Sequence, residues 1–544
     1  QCNMLLKNSI SLINEFFSLA VHQIRKIYLN SNIYNKKISI IKNYTFSYKP
    51  SLSILSCLIK YEKKKNKIED FYISEIWEKK INYKDLKKLH SFYWFFTIDL
   101  KSSKKITHSI IQNWIEKNQN YSSDIWEINT LSKRIISWIA NSQLTYEDTS
   151  GEYKIIFNKT ILKQVNHLIN EINRSEIVDD KMIGCTAIIL TGLSYNHEKI
   201  LTYGLNLLKK IINSSFDNEY FPKSRNIRQL VFYLKYFILI RELLKESLNE
   251  IPDYLDEIIF YIGKAYTFSW SSIKESLLFN GNHDSDLSDF DKYLSLYKYK
   301  FISDKHELGG YSILKNKNII IAMDVGSTPD KKYSENYQSG PLSFEAIYKG
   351  NKIICNSGYF QNQNHKLNNI SRSTVAHSTL ILNNKSATTF KKKNRKTILD
   401  NGLKSFNNNI VFEKNFWSIK ASHNGYQKEF GTIHERTLEF FPESNKILGK
   451  DKLIKKKNYI SASFEIRFHL MPNTKVTKIQ DNRTVLIELE NSGWRFFTND
   501  GLIDVETGLY FGKKNTYSEN QNIFISGNTQ KDDQIIEWEI SKIK

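Results

Sequence analysis

Apolar positions in the first half of the chain recur at helical spacing. Ile161, Leu162, Val165, Leu168, Ile169 and Ile172 fall at i, i+1, i+4, i+7, i+8 and i+11 and share one helix face. The same pattern predicts a helix from about Leu201 to Ile212, and earlier ones around Ile110 to Ile115 and Leu131 to Ile139. From Gln229 to Leu248 apolar residues occupy nearly every side (Leu230, Val231, Leu234, Phe237, Ile238, Leu239), which predicts a helix enclosed by its neighbours. Short polar breaks between such segments predict antiparallel helical hairpins.

Past the polar, turn-rich run Asn280-Gly281-Asn282-His283-Asp284-Ser285-Asp286, read as a linker or cleft loop, the period changes. After Gly309-Gly310 come short strand-like runs: Asn318 to Val325, Asn351 to Asn356, Ser378 to Leu382, Ile410 to Ala421, Arg436 to Phe440 and Thr484 to Leu489. Turn signals separate them, among them Lys349-Gly350-Asn351, Asn383-Asn384 and Asn424-Gly425. Many short strands joined by such turns predict an antiparallel sandwich. The boundary falls near 290–305. The predicted class is therefore multidomain α + β, with a helical domain over 1–295 and an antiparallel β-sandwich over 305–544.

Composition narrows the picture only a little. The 544 residues are 40% hydrophobic and 13% aromatic, enough for sizeable cores and too apolar for a disordered chain. Lys and Arg number 78 against 57 acidic residues, a formal charge of +21. Such a surface attracts polyanions, yet Lys, Ile and Asn are inflated together, so compositional drift is the favoured reading and the charge is compatible with an acidic substrate without establishing one. Runs such as Lys63-Lys64-Lys65, Lys391-Lys392-Lys393 and Lys455-Lys456-Lys457 read as solvated loops. The four cysteines, Cys2, Cys57, Cys185 and Cys355, are scattered, which argues against a disulfide framework or a cysteine zinc site. No run approaches the ~18 uninterrupted apolar residues of a membrane span, and the first apolar stretch, Ile10 to Val21, holds Asn14 and Glu15 and is no signal-peptide core.

Motifs of the second half carry a resemblance. Gly310-Tyr311-Ser312, Met323-Asp324-Val325-Gly326, Gly340-Pro341-Leu342-Ser343-Phe344-Glu345, Cys355-Asn356-Ser357-Gly358 and Arg372-Ser373-Thr374-Val375-Ala376-His377-Ser378-Thr379-Leu380 come in order. Ala421-Ser422-His423-Asn424-Gly425-Tyr426, Gly431-Thr432-Ile433-His434-Glu435-Arg436, Ile466-Arg467-Phe468-His469-Leu470 and Gly493-Trp494-Arg495-Phe496 follow. Together they resemble the heparinase II/III-like domain over about 309–500. Leu131-Ser132-Lys133-Arg134-Ile135-Ile136-Ser137-Trp138 resembles, more faintly, that family's helical partner. The resemblance implies an incomplete (α/α) toroid followed by the sandwich. It also implies β-eliminative cleavage of an acidic, uronic-acid-containing polysaccharide such as a glycosaminoglycan or alginate. A bacterial cell envelope or periplasmic setting goes with it, although without a visible signal peptide the cytoplasm stays open.

Elimination removes the C5 proton of a uronate and expels the 4-linked oxygen. The carboxylate must be neutralised, a base must take the proton, and an acid must protonate the leaving oxygen. His377, His423 and Tyr426 are the catalytic candidates. A strand from Val375 to Ile381 would set His377 among apolar neighbours on one face. Alternation from Ile433 likewise sets His434, Arg436, Leu438 and Phe440 together, suggesting a site at the sandwich edge. In related lyases the histidines of these two motifs sit near a divalent metal, so the resemblance implies one ion, zinc above all, on His377, His434 and Asp400, with no organic cofactor. Arg225, Arg228 and Arg372 are candidates for holding the substrate carboxylate.

The helical half departs from the family. Active members carry an Asn-His pair and a Tyr within a Ser-Pro-Met-Tyr-His-like stretch. Here Ser224-Arg225-Asn226-Ile227-Arg228-Gln229 puts Arg228 at the Tyr position and Gln229 at the His position, and Asp179-Asp180-Lys181 stands where the Asn-His pair belongs. An Arg is a poor proton acceptor. Tyr220, in the preceding turn, is a substitute base only with a shifted cleft. Two functions follow: a lyase, or an altered relative that binds an anionic envelope glycan without cleaving it. Nucleic-acid binding has the charge but no motif.

Overall fold

The computed structural model describes residues 17, 20–41, 45–59, 66–67, 77, 82–270, 276–393, 396–514 and 516–543. Cys2, the run Lys63-Lys64-Lys65 and most of the stretch from Ile10 to Val21 lie outside them. Two compact units divide the chain: Gln1–Ser214 with Lys235–Glu257, and Ser215–Leu234 with Ile258–Lys544.

The first unit is helical. Lys104–Asn118 and Ile128–Ala140 are helices that contain predicted segments, Gly151–Glu171 carries the predicted face up to Ile169 with Ile172 in the following 3-10 turn, and Val178–Ser194 is a helix that the spacing did not predict. Two begin where a serine satisfies a free amide: Ser103 Oγ accepts from Ile106 N at 3.3 Å and Ser150 Oγ from Tyr153 N at 3.2 Å. The next helix, Glu198–Ser215, extends the predicted Leu201 to Ile212 at both ends. It lies so close to Val178–Ser194 that a Cβ on Gly192 would stand 2.6 Å from the Leu201 amide nitrogen. Ile227–Glu246 is the predicted enclosed helix, and Leu230, Leu234, Phe237, Ile238 and Leu239 are all fully buried. Each such side chain contributes ~1.5–3 kcal/mol of burial.

The second unit is dominated by antiparallel sheets. Five strands form one sheet: Glu307–Leu308, Tyr311–Lys315, Ile319–Asp324, Phe344–Tyr348 and Asn351–Ile354. An eight-stranded sheet runs from Lys475–Lys478 at one edge to Ser405–Phe412 at the other, and a four-stranded sheet holds Leu380–Leu382, Ser463–His469, Ser518–Asn528 and Leu502–Tyr510. Period-two alternation decides which face is dry: Lys446–Lys455 buries every second residue from Ile447 to Leu453. One apolar core joins the sheets, and Phe344, Phe468, Phe496 and Trp538 meet at its centre with centroids 4.6–6.2 Å apart.

Two strand expectations need correction. Ile410 to Ala421 is a hairpin of Ser405–Phe412 and Trp417–His423, because the chain reverses where Glu413 N donates to Phe416 O at 3.0 Å. Only Leu380–Leu382 of the predicted Ser378 to Leu382 is strand, and Thr374–Ala376 is a 3-10 turn, so His377 sits on no strand. Helices give way to strands between Leu296 and Glu307. Cys185 and Cys355 are fully buried.

Candidate functional site

Most of the residues singled out from the sequence turn out to be architecture. Arg225 is buried, and its guanidinium donates to the carbonyls of Gly309, Gly310 and Ser327 and to Asp324 Oδ1 at 2.5 Å. Gly310 and Gly326 lie against its guanidinium, where a Cβ would stand 2.8 and 2.4 Å from it. The Tyr311 hydroxyl donates to Arg225 O at 2.5 Å. Arg225 is therefore a plug in a socket, with each guanidinium nitrogen engaged, and does not clamp a sugar. Arg372 is spent the same way. It is 1% exposed and donates to the carbonyls of Ser334, Tyr337 and Thr397, each at 2.9 Å, with its plane 4.1 Å from the Phe390 ring.

His423, Tyr426 and His434 are buried as well. His434 Nε2 meets Asp451 Oδ1 at 2.7 Å, and His423 Nε2 meets His434 Nδ1 at 3.2 Å. The Gly425 amide donates to His423 Nδ1 at 3.1 Å. These contacts fix both tautomers: each ring donates through Nε2 and accepts through Nδ1. Asp451 also takes Arg436 on both oxygens, at 2.7 and 3.0 Å, and the Trp538 indole at 2.8 Å. Burial pushes the Asp451 carboxyl up, but the Arg436 charge and the His434 hydrogen bond outweigh it and hold it below the usual range. Burial lowers the basicity of both histidines. The shared face of His434, Arg436, Leu438 and Phe440 is real, yet it points into the core and not to an edge site. Tyr426 donates to the carbonyls of Leu380 and Lys385, at 3.0 and 3.3 Å, and closes a turn. Neither His423 nor Tyr426 is placed to meet a substrate.

The expected metal trio does not assemble. Asp400 lies on the exposed hairpin of Thr389–Lys393 and Lys396–Asn401, paired with Lys391 at 2.7 Å. Both nitrogens of His434 are taken. In His377, Nδ1 donates to Ser373 O at 2.9 Å, and Nε2 is buried without a partner. Its ring packs on Gly340, where a Cβ would stand 2.4 Å from Cδ2. Burial lowers its pKa to about 4, so it is neutral. Among the described residues no group of three or more His, Cys, Asp or Glu is arranged to hold a metal ion. The side chains present do not fit zinc.

The loop 276–286 is no free linker. Lys352 Nζ donates to Ser276 O at 2.5 Å, Leu278 N donates to Glu345 Oε2 at 3.2 Å, and Lys352 pairs with Glu345 at 3.1 Å with both side chains fully buried. Asn280 Nδ2 reaches Tyr311 Oη and Asp324 Oδ2, and the Gly281 amide donates to Gln338 Oε1 at 2.9 Å. Gly281 has φ +83°, and a Cβ there would stand 2.7 Å from Asn226 Nδ2 and 3.0 Å from Asn336 O, so the tight passage requires glycine. Asp284 N donates to Gly512 O at 2.6 Å, and Tyr510 Oη donates to Asp284 Oδ2 at 2.5 Å. The loop thus holds His283 among the residues opening Ile227–Glu246 and the segment after Leu502–Tyr510. His283 is 8% exposed, its Nδ1 is sealed without a partner, and the buried Nε of Arg228 also lacks one. Burial first, then the charges of Arg228 and Lys514, lower the His283 pKa to about 4. Neither His283 nor Lys514 was singled out from the sequence; a lone histidine in a polar turn gave no periodicity to read.

Where the loop ends, a cavity of about 930 Å³ opens, lined by Tyr266, Trp270, Tyr299 and Phe301 with Asp286 and Asp291. Tyr266 donates to Asp291 Oδ1 at 2.6 Å. Tyr220, the substitute base considered above, instead stacks on Tyr261, centroids 4.5 Å apart and planes 2° from parallel.

Residues 303–539 match the family model described as Heparinase II/III-like, C-terminal, which bears out the resemblance carried by the sandwich motifs. No curated protein matches the chain in sequence. Among solved structures, a heparan sulfate lyase HepC mutant from Pedobacter heparinus is similar at TM-score 0.68 and 13% identity, over 94% of this chain and 88% of that one. A heparinase III structure is similar at TM-score 0.67 and 14% identity, over 98% and 91%. At such identity the likeness establishes the fold, a helical toroid with an antiparallel β-sandwich, as expected. Among the described residues no helix is long and apolar enough to cross a membrane.

Proposed function

We propose that this protein is a polysaccharide lyase-type protein acting on an acidic, uronic-acid-containing polymer by β-elimination. The observation that carries the reading is that the fold of a heparan sulfate lyase extends over 94% of the chain, so both parts of such an enzyme are present. The aromatic cavity supports it: its lining includes Tyr266, Trp270, Tyr299 and Phe301, side chains of the kind that stack on pyranose C–H groups, together with Asp286 and Asp291. The surplus of cations favours a polyanion.

A second reading has its own support. His423, Tyr426, Arg225 and Arg372 are all engaged inside the fold, and Arg228 stands where active relatives carry Tyr. On that reading the protein holds an anionic envelope glycan without cutting it. Ultraviolet absorbance of the unsaturated uronate product, followed over heparin, heparan, chondroitin, hyaluronan and alginate, decides between them. A rise on any polymer establishes elimination; no rise from folded protein that still binds one of them establishes the second reading.

A further inference from the structure

One stretch of the helical unit leaves its large apolar side chains in solvent. Val21, Ile24 and Ile27 line one side of the helix 20–29, Phe17 precedes them at the same spacing, and His22, Gln23 and Lys26 flank the row. Arg25, paired with Glu171, and the buried Leu29 mark the inner edge of this helix. The helix Asn32–Ile38, opened by Ser31 Oγ accepting from Tyr34 N at 3.1 Å, repeats the arrangement. Tyr34 Oη meets His167 Nδ1 at 2.7 Å, and Asn166 Nδ2 donates to Ile38 O at 2.9 Å, which holds Tyr34 and Ile38 against Gly151–Glu171. Ile33, Lys36 and Lys37 are thereby left on the opposite, exposed face, with Ile40 just beyond. Ile24, Ile27, Ile33 and Ile40 are 67–80% exposed. Single exposed apolar side chains are ordinary, but a cluster of this kind marks a contact surface.

The charge of the stretch says what meets it. Between Glu15 and Glu62 the chain carries seven Lys or Arg residues and no Asp or Glu. Arg25 and Lys49 pair with Glu171 and Glu147, whereas Lys26, Lys36 and Lys37 are exposed and have no carboxylate partner among the described residues. A second copy of the chain would set these cations against one another. A protein partner fits poorly too, since the centre of a protein interface is depleted of lysine, and a soluble glycan gives isoleucine nothing to enter. An anionic lipid surface satisfies both kinds of side chain. The aliphatic groups reach the boundary of headgroups and acyl chains, while the lysine ammoniums extend to the phosphates. We propose that Ile24, Ile27, Ile33 and Ile40, with Lys36 and Lys37, form a peripheral docking surface for an anionic lipid bilayer. Among the described residues no helix is long and apolar enough to cross a membrane, so the contact lies along the surface. The inference does not depend on the lyase reading.

The test is co-sedimentation of the full chain with vesicles of phosphatidylcholine alone and of phosphatidylcholine mixed with phosphatidylglycerol. Binding to the anionic vesicles is expected at low salt, about tenfold or more above that to the neutral ones, and is expected to weaken as ionic strength rises. Ile24→Ser with Ile27→Ser, and separately Lys36→Ser with Lys37→Ser, are each expected to weaken it about tenfold or more. These side chains are exposed, so thermal unfolding of both variants is expected to match that of the unaltered chain, which separates loss of binding from loss of fold. Hydrogen exchange is expected to slow at residues 20–40 when anionic vesicles are added. No sedimentation with the anionic vesicles overturns the proposal. So does sedimentation that the isoleucine variant leaves unchanged, which would assign the binding to the general positive charge of the chain. Self-association that Ile24→Ser with Ile27→Ser abolishes, without vesicle binding, overturns it in favour of a second copy.

Discussion

Arg225 Nη2 donates to Asp324 Oδ1 at 2.5 Å, and this buried pair fastens the segment before the helix Ile227–Glu246 to the strand Ile319–Asp324. Asp324 also accepts from Gly326 N at 3.1 Å and, on its other oxygen, from Asn280 Nδ2 at 3.1 Å. Removing it would strand a buried guanidinium beside carbonyls alone. Asp324→Ala is therefore expected to lower stability by about 3–5 kcal/mol. Urea unfolding checks this, and a loss below about 1 kcal/mol would show that the pair is not holding the segment.

Gly340 and His377 form a second close relationship. Any side chain at 340 enters the His377 ring, which is itself enclosed. Gly340→Ala is expected to cost about 1–3 kcal/mol by overpacking. If the ring is the obstacle, the cost shrinks in a His377→Ala background. A double-mutant cycle with no coupling would place the strain elsewhere.

Tyr426→Phe separates architecture from chemistry. Its hydroxyl donates to the carbonyls of Leu380 and Lys385. The variant is expected to lose about 0.5–1.5 kcal/mol of stability and nothing in glycan binding or turnover. A fall in turnover beyond about tenfold, with the fold intact, would return Tyr426 to the site.

Much of this fold was legible because its signals are periodic. The helix face of Ile161 to Ile172 and the alternation through His434 to Phe440 each follow from burial on one side of an element. The motifs that carried the resemblance were legible too, though they mark structure. Gly310, Tyr311, Asp324 and Gly326 build the Arg225 socket, while Leu342 and Ser378 offer carbonyls to Arg436. What the sequence concealed were pairings between distant residues. Asp451, from the neighbouring strand, occupies Nε2 of His434, a residue expected to hold a metal, and no spacing in the chain announces it. His283 was hidden for the opposite reason: it lies in an aperiodic loop and acquires neighbours from residues 228 and 514 only on folding.

Buried neutral histidines give the protein a marked dependence on acid. Burial lowers His377 and His283 to about 4, and lowers His469 to about 3. An unfolded histidine titrates near 6.5. Each folded pKa thus lies below its unfolded value, and between about pH 6.5 and 4 the unfolded chain binds protons that the folded chain refuses. Stability is full above that window and falls as pH drops through it, by on the order of 3 kcal/mol for a group such as His377. Urea midpoints measured from pH 8 to 4.5 are expected to hold steady and then decline below about pH 6.5. Because each histidine adds at most one proton to the difference, His377→Gln is expected to flatten the decline by up to about 1.4 kcal/mol per pH unit. A midpoint unchanged between pH 7 and 5 would mean that these rings take up protons in the folded state as readily as in the unfolded chain.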